Sequence, residues 1–65
     1  MIYSKHNIFS GIAGSDNFFI VNLLSGSADI LTPAEGKMVH ELLDGKEIAD
    51  EFRGTLEEKG YLVDG

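Results

Sequence analysis

The hydrophobic period of this chain changes once, at Thr32, and that change limits the folds open to it. Before Thr32 the apolar residues fall in short β-branched and aromatic runs separated by Gly, Ser, Asn and Asp; after it they recur every three or four residues. Short β-branched runs bounded by turn residues mark strands, and a period near 3.6 marks helices. The order is strands first and helices second, an α+β arrangement rather than the alternating order of a parallel sheet.

Three strands are expected. Tyr3 to Ile12 set Ile8, Phe9 and Ile12 among polar residues, and Gly14-Ser15-Asp16-Asn17 is a dense turn cluster. Asn17-Phe18-Phe19-Ile20-Val21-Asn22-Leu23-Leu24 is the strongest strand of the chain. Both of its faces are apolar, Phe18, Ile20 and Leu24 on one and Phe19, Val21 and Leu23 on the other, which predicts a central strand with one face on a helix layer. Ser25-Gly26 turns the chain, and Ser27 to Leu31 form a short third strand. The three make an antiparallel meander.

Thr32-Pro33-Ala34-Glu35 reads as a helix start, with Thr32 as N-cap, Pro33 at N1 and Glu35 closing a capping box. Ala34, Met38 and Leu42, flanked by Val39 and Leu43, form its apolar face, and Asp44-Gly45 ends it. Gly36 inside this helix costs about 1 kcal/mol relative to Ala. That predicts either a close approach at Gly36 or a glycine that is merely tolerated. Ile48, Phe52 and Leu56 predict a second helix over residues 47–59, weakened at Gly54, with Gly60 as its left-handed stop. Tyr61-Leu62-Val63 then returns to the core. The residues expected to be buried are Phe19, Val21, Ile30, Met38, Leu42, Phe52, Leu56 and Leu62.

At 65 residues the chain is one domain with little stability in reserve, and it has no cysteine. Disulfides, thiolate zinc sites, iron–sulfur clusters and cysteine nucleophiles are excluded. His6 and His40 are too few for a metal cage, and His40-Glu41 has no second histidine four residues away. Both histidines are expected to be solvent-facing or half-buried rather than ligands. Glu57 and Glu58 are neighbours on a helix and diverge by about 100 degrees, unsuited to paired acid–base work. A Ser/His/Asp set, a P-loop, a dinucleotide fingerprint and HExxH are all missing, so neither an enzyme nor a cofactor is expected. No apolar run reaches the ~20 residues of a membrane span, and the first residues lack a secretory h-region. A cytoplasmic, reducing compartment is the expectation.

The net charge is −6, and residues 33–65 hold four basic and nine acidic residues. Nucleic-acid affinity comes from Lys and Arg neutralising phosphates, so that term is repulsive here. Solvated helix faces are the plainer account of the acidic half; a surface for a basic partner is the alternative. The third strand, Ser27-Ala28-Asp29-Ile30-Leu31, is a candidate sheet edge without lysine or proline to protect it. Such an edge is either short enough to be harmless or a place where an extended peptide adds as a strand.

Tyr3-Ser4-Lys5-His6-Asn7-Ile8-Phe9, then Asn22-Leu23-Leu24-Ser25-Gly26 before a strand and Thr32-Pro33-Ala34-Glu35, and finally Leu56-Glu57-Glu58-Lys59-Gly60-Tyr61-Leu62-Val63 follow one another in a set order. In that order they resemble the N-terminal domain of radical SAM/SPASM peptide maturases. Those domains are related to the small pyrroloquinoline-quinone peptide chaperone, and together they form the RiPP recognition elements of ribosomal peptide biosynthesis. The resemblance covers nearly the whole chain, and its order and spacing carry it. It implies a winged helix-turn-helix-like fold, a three-stranded antiparallel sheet followed by two or at most three helices. It also implies that the leader segment of a precursor peptide pairs against the third strand beside the last helix. By position, the peptide site falls on Ser27, Ala28, Asp29, Ile30 and Leu31 and on the helix face bearing Arg53, Leu56, Glu57 and Gly60.

Two features depart from that pattern. The segment between Leu43 and Gly60 is too short for two full helices, so the middle helix of the typical fold is expected to be rudimentary or missing. The Cys-x-x-x-Cys-x-x-Cys motif of the radical SAM barrel is absent, so the maturase acts in cis only if this chain is the excised front end of a larger enzyme, and otherwise in trans. The end at Val63-Asp64-Gly65 favours excision. The alternatives are a structural or dimerisation domain without a peptide ligand, and a winged-helix DNA-binding module, which the acidic second helix opposes. Within the peptide reading, Arg53 is the expected contact for a leader carboxylate, and Leu56 the expected wall of the groove.

Overall fold

A computed structural model describes residues 1–64. The chain runs β1 (Ile2–Tyr3), β2 (Asn7–Gly11), β3 (Phe18–Asn22), β4 (Ala28–Leu31), α1 (Pro33–Leu43), α2 (Asp50–Glu58) and β5 (Leu62–Val63). The architecture is α+β. Strands β2, β3 and β4 form an antiparallel sheet in that order, with Ile8 opposite Val21 and Phe18 opposite Leu31. The central position of β3 is as expected.

The first expected strand, Tyr3 to Ile12, is broken in two by a turn at Lys5-His6. Its front half, β1, pairs antiparallel with β5, Tyr3 opposite Leu62, in a separate two-stranded sheet. After Tyr61, Leu62-Val63 therefore returns as a strand that pairs with β1.

The central strand presents its other face to the helices. Ile20, Leu31, Val39, Leu56, Tyr61 and Leu62 are the buried hydrophobic residues, with Phe9 and Phe18 packed against them. Alternation along the strand then puts Ile8, Phe19, Val21, Ala28 and Ile30 on the face away from the helices. Of the expected core, Leu56 and Leu62 are buried. Phe19, Val21, Met38, Leu42 and Phe52 are half-buried, and Ile30 is 66% exposed. Leu42 and Phe52 pack against the buried cluster from its rim; for Phe19, Val21 and Ile30 the difference has one cause. Both faces of β3 are apolar, and a shift of one residue exchanges them.

The packing of α1 decides which face wins. Gly36 is buried directly over Phe18; a Cβ there would lie 2.7 Å from Phe18 Cγ and closer still to Cδ1 and Cε1. The ring beneath is stacked on Phe9 at 5.3 Å and meets His40 edge-on at 5.7 Å. Of the two readings of Gly36, the close approach holds.

Thr32 caps α1 as expected: its hydroxyl accepts the Glu35 N–H, and Glu35 Oε1 accepts the Thr32 N–H at 2.9 Å. Helix α2 is shorter than residues 47–59, because Ala49 stands at its N-cap with no side chain to hold an earlier turn. No helix lies between α1 and α2 among the described residues, in keeping with the short segment there. Helix α2 ends in a Schellman motif. Gly60 has φ +86°, Tyr61 N–H donates to the Leu56 carbonyl at 2.9 Å, and Gly60 N–H donates to Glu57 at 3.1 Å.

Candidate functional site

The site is built on β4, one of the two edges of the sheet. Across β3 and β4, Asn22 N–H donates to the Ser27 carbonyl at 2.9 Å. Because hydrogen-bonded and non-hydrogen-bonded pairs alternate in an antiparallel ladder, Asp29 and Leu31 exchange backbone bonds with β3. The N–H and C=O groups of Ala28 and Ile30 point outward. These are the free backbone groups of the edge.

The side chains of β4 divide in the opposite sense. Ala28 and Ile30 lie on the outer face, where they line a shallow depression of about 160 Å³ with Phe19, Val21 and Asp29. Leu31 is buried in the core. Asp29 turns toward α2, where its carboxylate pairs with Lys59 Nζ and accepts the Tyr61 hydroxyl at 2.7 Å. Burial opposes ionisation of Asp29, but the hydrogen bonds from Lys59 and Tyr61 and the Lys59 charge outweigh it and hold the carboxyl below its usual range. Tyr61 responds in the other direction. Burial, the bond to Asp29 and its negative charge raise the phenol far above its ordinary value.

A second set of bonds fixes the start of β4 to the end of α2. The Ser27 hydroxyl donates to the Lys59 carbonyl at 2.7 Å, and the Ser25 hydroxyl reaches the same carbonyl at 3.1 Å. Behind them lies Asn22, 2% exposed, whose Nδ2 hydrogens are shared among Asn7 Oδ1 (2.8 Å), Ser4 Oγ (3.1 Å) and the Gly60 carbonyl (3.2 Å). Its Oδ1 accepts from Leu24 and Ser25 N–H. The stretches Asn22–Gly26 and Leu56–Val63 therefore meet in space, which their separation in sequence conceals.

The expected helix contacts are only partly brought to this edge. Gly60 is there, against the Ser25 side chain. Leu56 is 2% exposed and belongs to the core, so it does not wall an open groove. Arg53 lines a separate depression with Glu47, Ile48 and Asp50 and shares none of it with β4. Glu57 is half-buried and contributes its backbone carbonyl to the helix stop. The basic group that does reach β4 is Lys59.

Between the helices lies an open, cleft-like cavity of about 290 Å³ lined by Glu35, Met38, Ala49, Glu51, Phe52 and Thr55. Among the described residues no three His, Asp or Glu side chains converge as a metal site would require, and no helix is long and apolar enough to cross a membrane. No family model, no curated protein and no solved structure matches the chain.

Proposed function

We propose that this chain is a peptide-recognition domain. It takes the leader segment of a ribosomally made precursor as an extra strand on β4 and presents it to a modifying enzyme, a radical SAM maturase in cis or in trans. Its role is binding rather than catalysis. The observation that carries the reading is the open β4 edge, where the backbone groups of Ala28 and Ile30 face outward beside an exposed Ile30 side chain. The sequence resemblance supplies the kind of peptide; the edge supplies the mode.

Magnitudes define what else the peptide must bring. Two N–H and two C=O groups offer four backbone bonds, each worth roughly 0.5–1.5 kcal/mol net. Ordering a flexible peptide costs about 2–5 kcal/mol, and micromolar affinity needs about 8. Backbone pairing alone falls short, so apolar side chains of the peptide must supply the difference. The depression formed by Phe19, Val21, Ala28 and Ile30 is one place for them.

Amide shift mapping with extended peptides of alternating apolar side chains tests the reading. Ala28 and Ile30 N–H should move downfield and gain protection from exchange. If Phe9 and Gly11 respond instead, the strand adds to the β2 edge and the assignment fails.

A second reading has its own observation. The outer face of the sheet carries Ile8, Phe19, Val21, Ala28 and Ile30 with no charged side chain among them, in a chain of net charge −6. A structural or dimerisation domain would bury this face against a second copy. Sedimentation equilibrium separates the two. A dimer that persists when Ile30 is replaced by lysine would exclude that face as the interface.

A further inference from the structure

We infer that the peptide on β4 carries, just N-terminal to its paired stretch, an apolar side chain next to a lysine or arginine, and that this pair enters the cavity between α1 and α2. The inference rests on the strand-addition reading and names the chemistry of the peptide that such a site selects.

The placement follows from chain direction. Leu31 ends β4, Thr32 caps α1, and Glu35 and Met38 in the first turns of α1 form one wall of the cavity. Ala49, Glu51, Phe52 and Thr55 form the other. Lys59, one turn beyond Thr55, contacts Asp29 within the strand. Helix α2 thus runs beside β4 from the cavity back along the strand, and the cavity lies past the C-terminal end of β4. The added strand is taken as antiparallel to β4, and such a strand begins opposite the C-terminal end of β4. The residues preceding the paired stretch therefore leave the edge at the cavity mouth.

The lining selects the occupant. Met38, Ala49 and Phe52 provide an apolar surface, and the flexible thioether of Met38 can adapt to different apolar shapes. Glu35 and Glu51 are its charged members, and no lysine or arginine lines it. Glu51 has no cation beside it, since Asp29–Lys59 is the one ion pair among the described residues. Glu35 uses Oε1 in the cap and keeps a second oxygen available. A leader carboxylate would face two like charges here, whereas a cation gains from both. Arg53, expected from the sequence to bind an acidic leader, instead lies beside Glu47 and Asp50. On this placement the charged group the peptide brings is a cation rather than the carboxylate expected for Arg53.

The test uses the full chain and three synthetic peptides that share one alternating apolar core and differ at the N-terminal end: Leu-Lys, Leu-Glu or Gly-Gly. Calorimetry should rank the Leu-Lys peptide tightest, by about fivefold over Leu-Glu, with the gap shrinking as salt is raised. Its amide shifts should include Met38, Phe52 and Thr55 as well as Ala28 and Ile30. Glu51→Gln should shrink the preference and Glu51→Lys should abolish or invert it, while Glu35 and its cap are left intact. If all three peptides bind equally and perturb Ala28 and Ile30 but not Met38 or Phe52, the inference fails and strand addition stands. If none perturbs Ala28 or Ile30, strand addition itself fails and the inference falls with it.

Discussion

Gly36→Ala isolates the contact that sets α1 on the sheet and thereby positions Glu35 and Met38. In a solvated helix this change stabilises by about 1 kcal/mol. Here the new methyl would fall inside the Phe18 ring, 2.7 Å from Cγ and closer to two further ring carbons. The ring has little freedom to retreat, since Phe9 is stacked on it at 5.3 Å and His40 lies edge-on at 5.7 Å. Overpacking of this kind costs typically 1–3 kcal/mol, and a clash with a pinned aromatic belongs at the upper end. The difference is a net destabilisation of roughly 1–2 kcal/mol, and each kcal/mol lowers Tm by about 4–8 °C in a domain this small. Circular dichroism melts should therefore show Gly36→Ala falling by roughly 5–15 °C. The decisive step is the double variant. Phe18→Leu destabilises on its own, but it removes the clash, so adding Gly36→Ala in that background should be neutral or stabilising, a coupling of about 1–3 kcal/mol. A rise in Tm for Gly36→Ala alone, or strict additivity with Phe18→Leu, would refute the packing argument.

Asn22→Ala should cost about 2–4 kcal/mol, because it strands the Leu24 and Ser25 amides and cuts the tie to Asn7 and Gly60; an unchanged urea midpoint would show that these bonds add nothing. The Asp29 carboxyl lies below its unfolded value of 3.8, so its contribution is present above that pH and is lost as pH falls through the folded value. Asp29→Asn should flatten this part of the acid limb, and an unaltered limb would count against the Lys59–Tyr61 clamp. The Tyr61 phenol lies above its unfolded value of 10.0, so its contribution is complete below pH 10 and is lost as pH rises beyond it; Tyr61→Phe should remove that alkaline loss, and a retained loss would point to another group. Duplex DNA should show no binding at physiological salt given the −6 charge, and micromolar affinity with a steep salt slope would overturn the electrostatic reasoning.

The parts legible in the sequence are those governed by neighbours along the chain. The Thr32–Glu35 box is closed within four residues, and the Gly60 stop within six, so both could be read directly. The three-strand order was legible because turn residues bound each run. The face of β3 was not, because Phe18 and Ile20 match Phe19 and Val21 in apolar character and only the third dimension distinguishes them. One signal did exist. A glycine inside α1 implies a large partner beneath it, and Phe18 is the partner it needed. Strands β1 and β5 have two residues each, too few for a period to register. At the candidate site the edge was visible as an unprotected strand. Its contacts were not, because Asp29 and Lys59 are thirty residues apart and no spacing rule joins them.

The bonds that hold β4 also account for how a short, cysteine-free chain can keep a sheet edge open without losing it. An edge strand is paired on one side only and tends to fray unless something else holds it. Here Ser27 and Asp29 turn their side chains inward to the end of α2, while the core takes Leu31. Alternate residues are thus anchored and the intervening ones, Ala28 and Ile30, are left free in both backbone and side chain. The pleat separates the two duties with a period of two. The anchor is polar and closes the chain ends as well, since Asn22 and Tyr61 connect β3, the N-terminal turn and β5 through Ser4, Asn7 and Gly60. A disulfide would have tied the ends more strongly, but only at one point. The hydrogen-bonded set distributes the restraint along β4, which on the strand-addition proposal has to remain straight. If a peptide adds to β4 as proposed, loosening Lys59 should weaken that binding through the strand itself, an effect that calorimetry should show for Lys59→Met and that is absent if β4 is held by Leu31 alone.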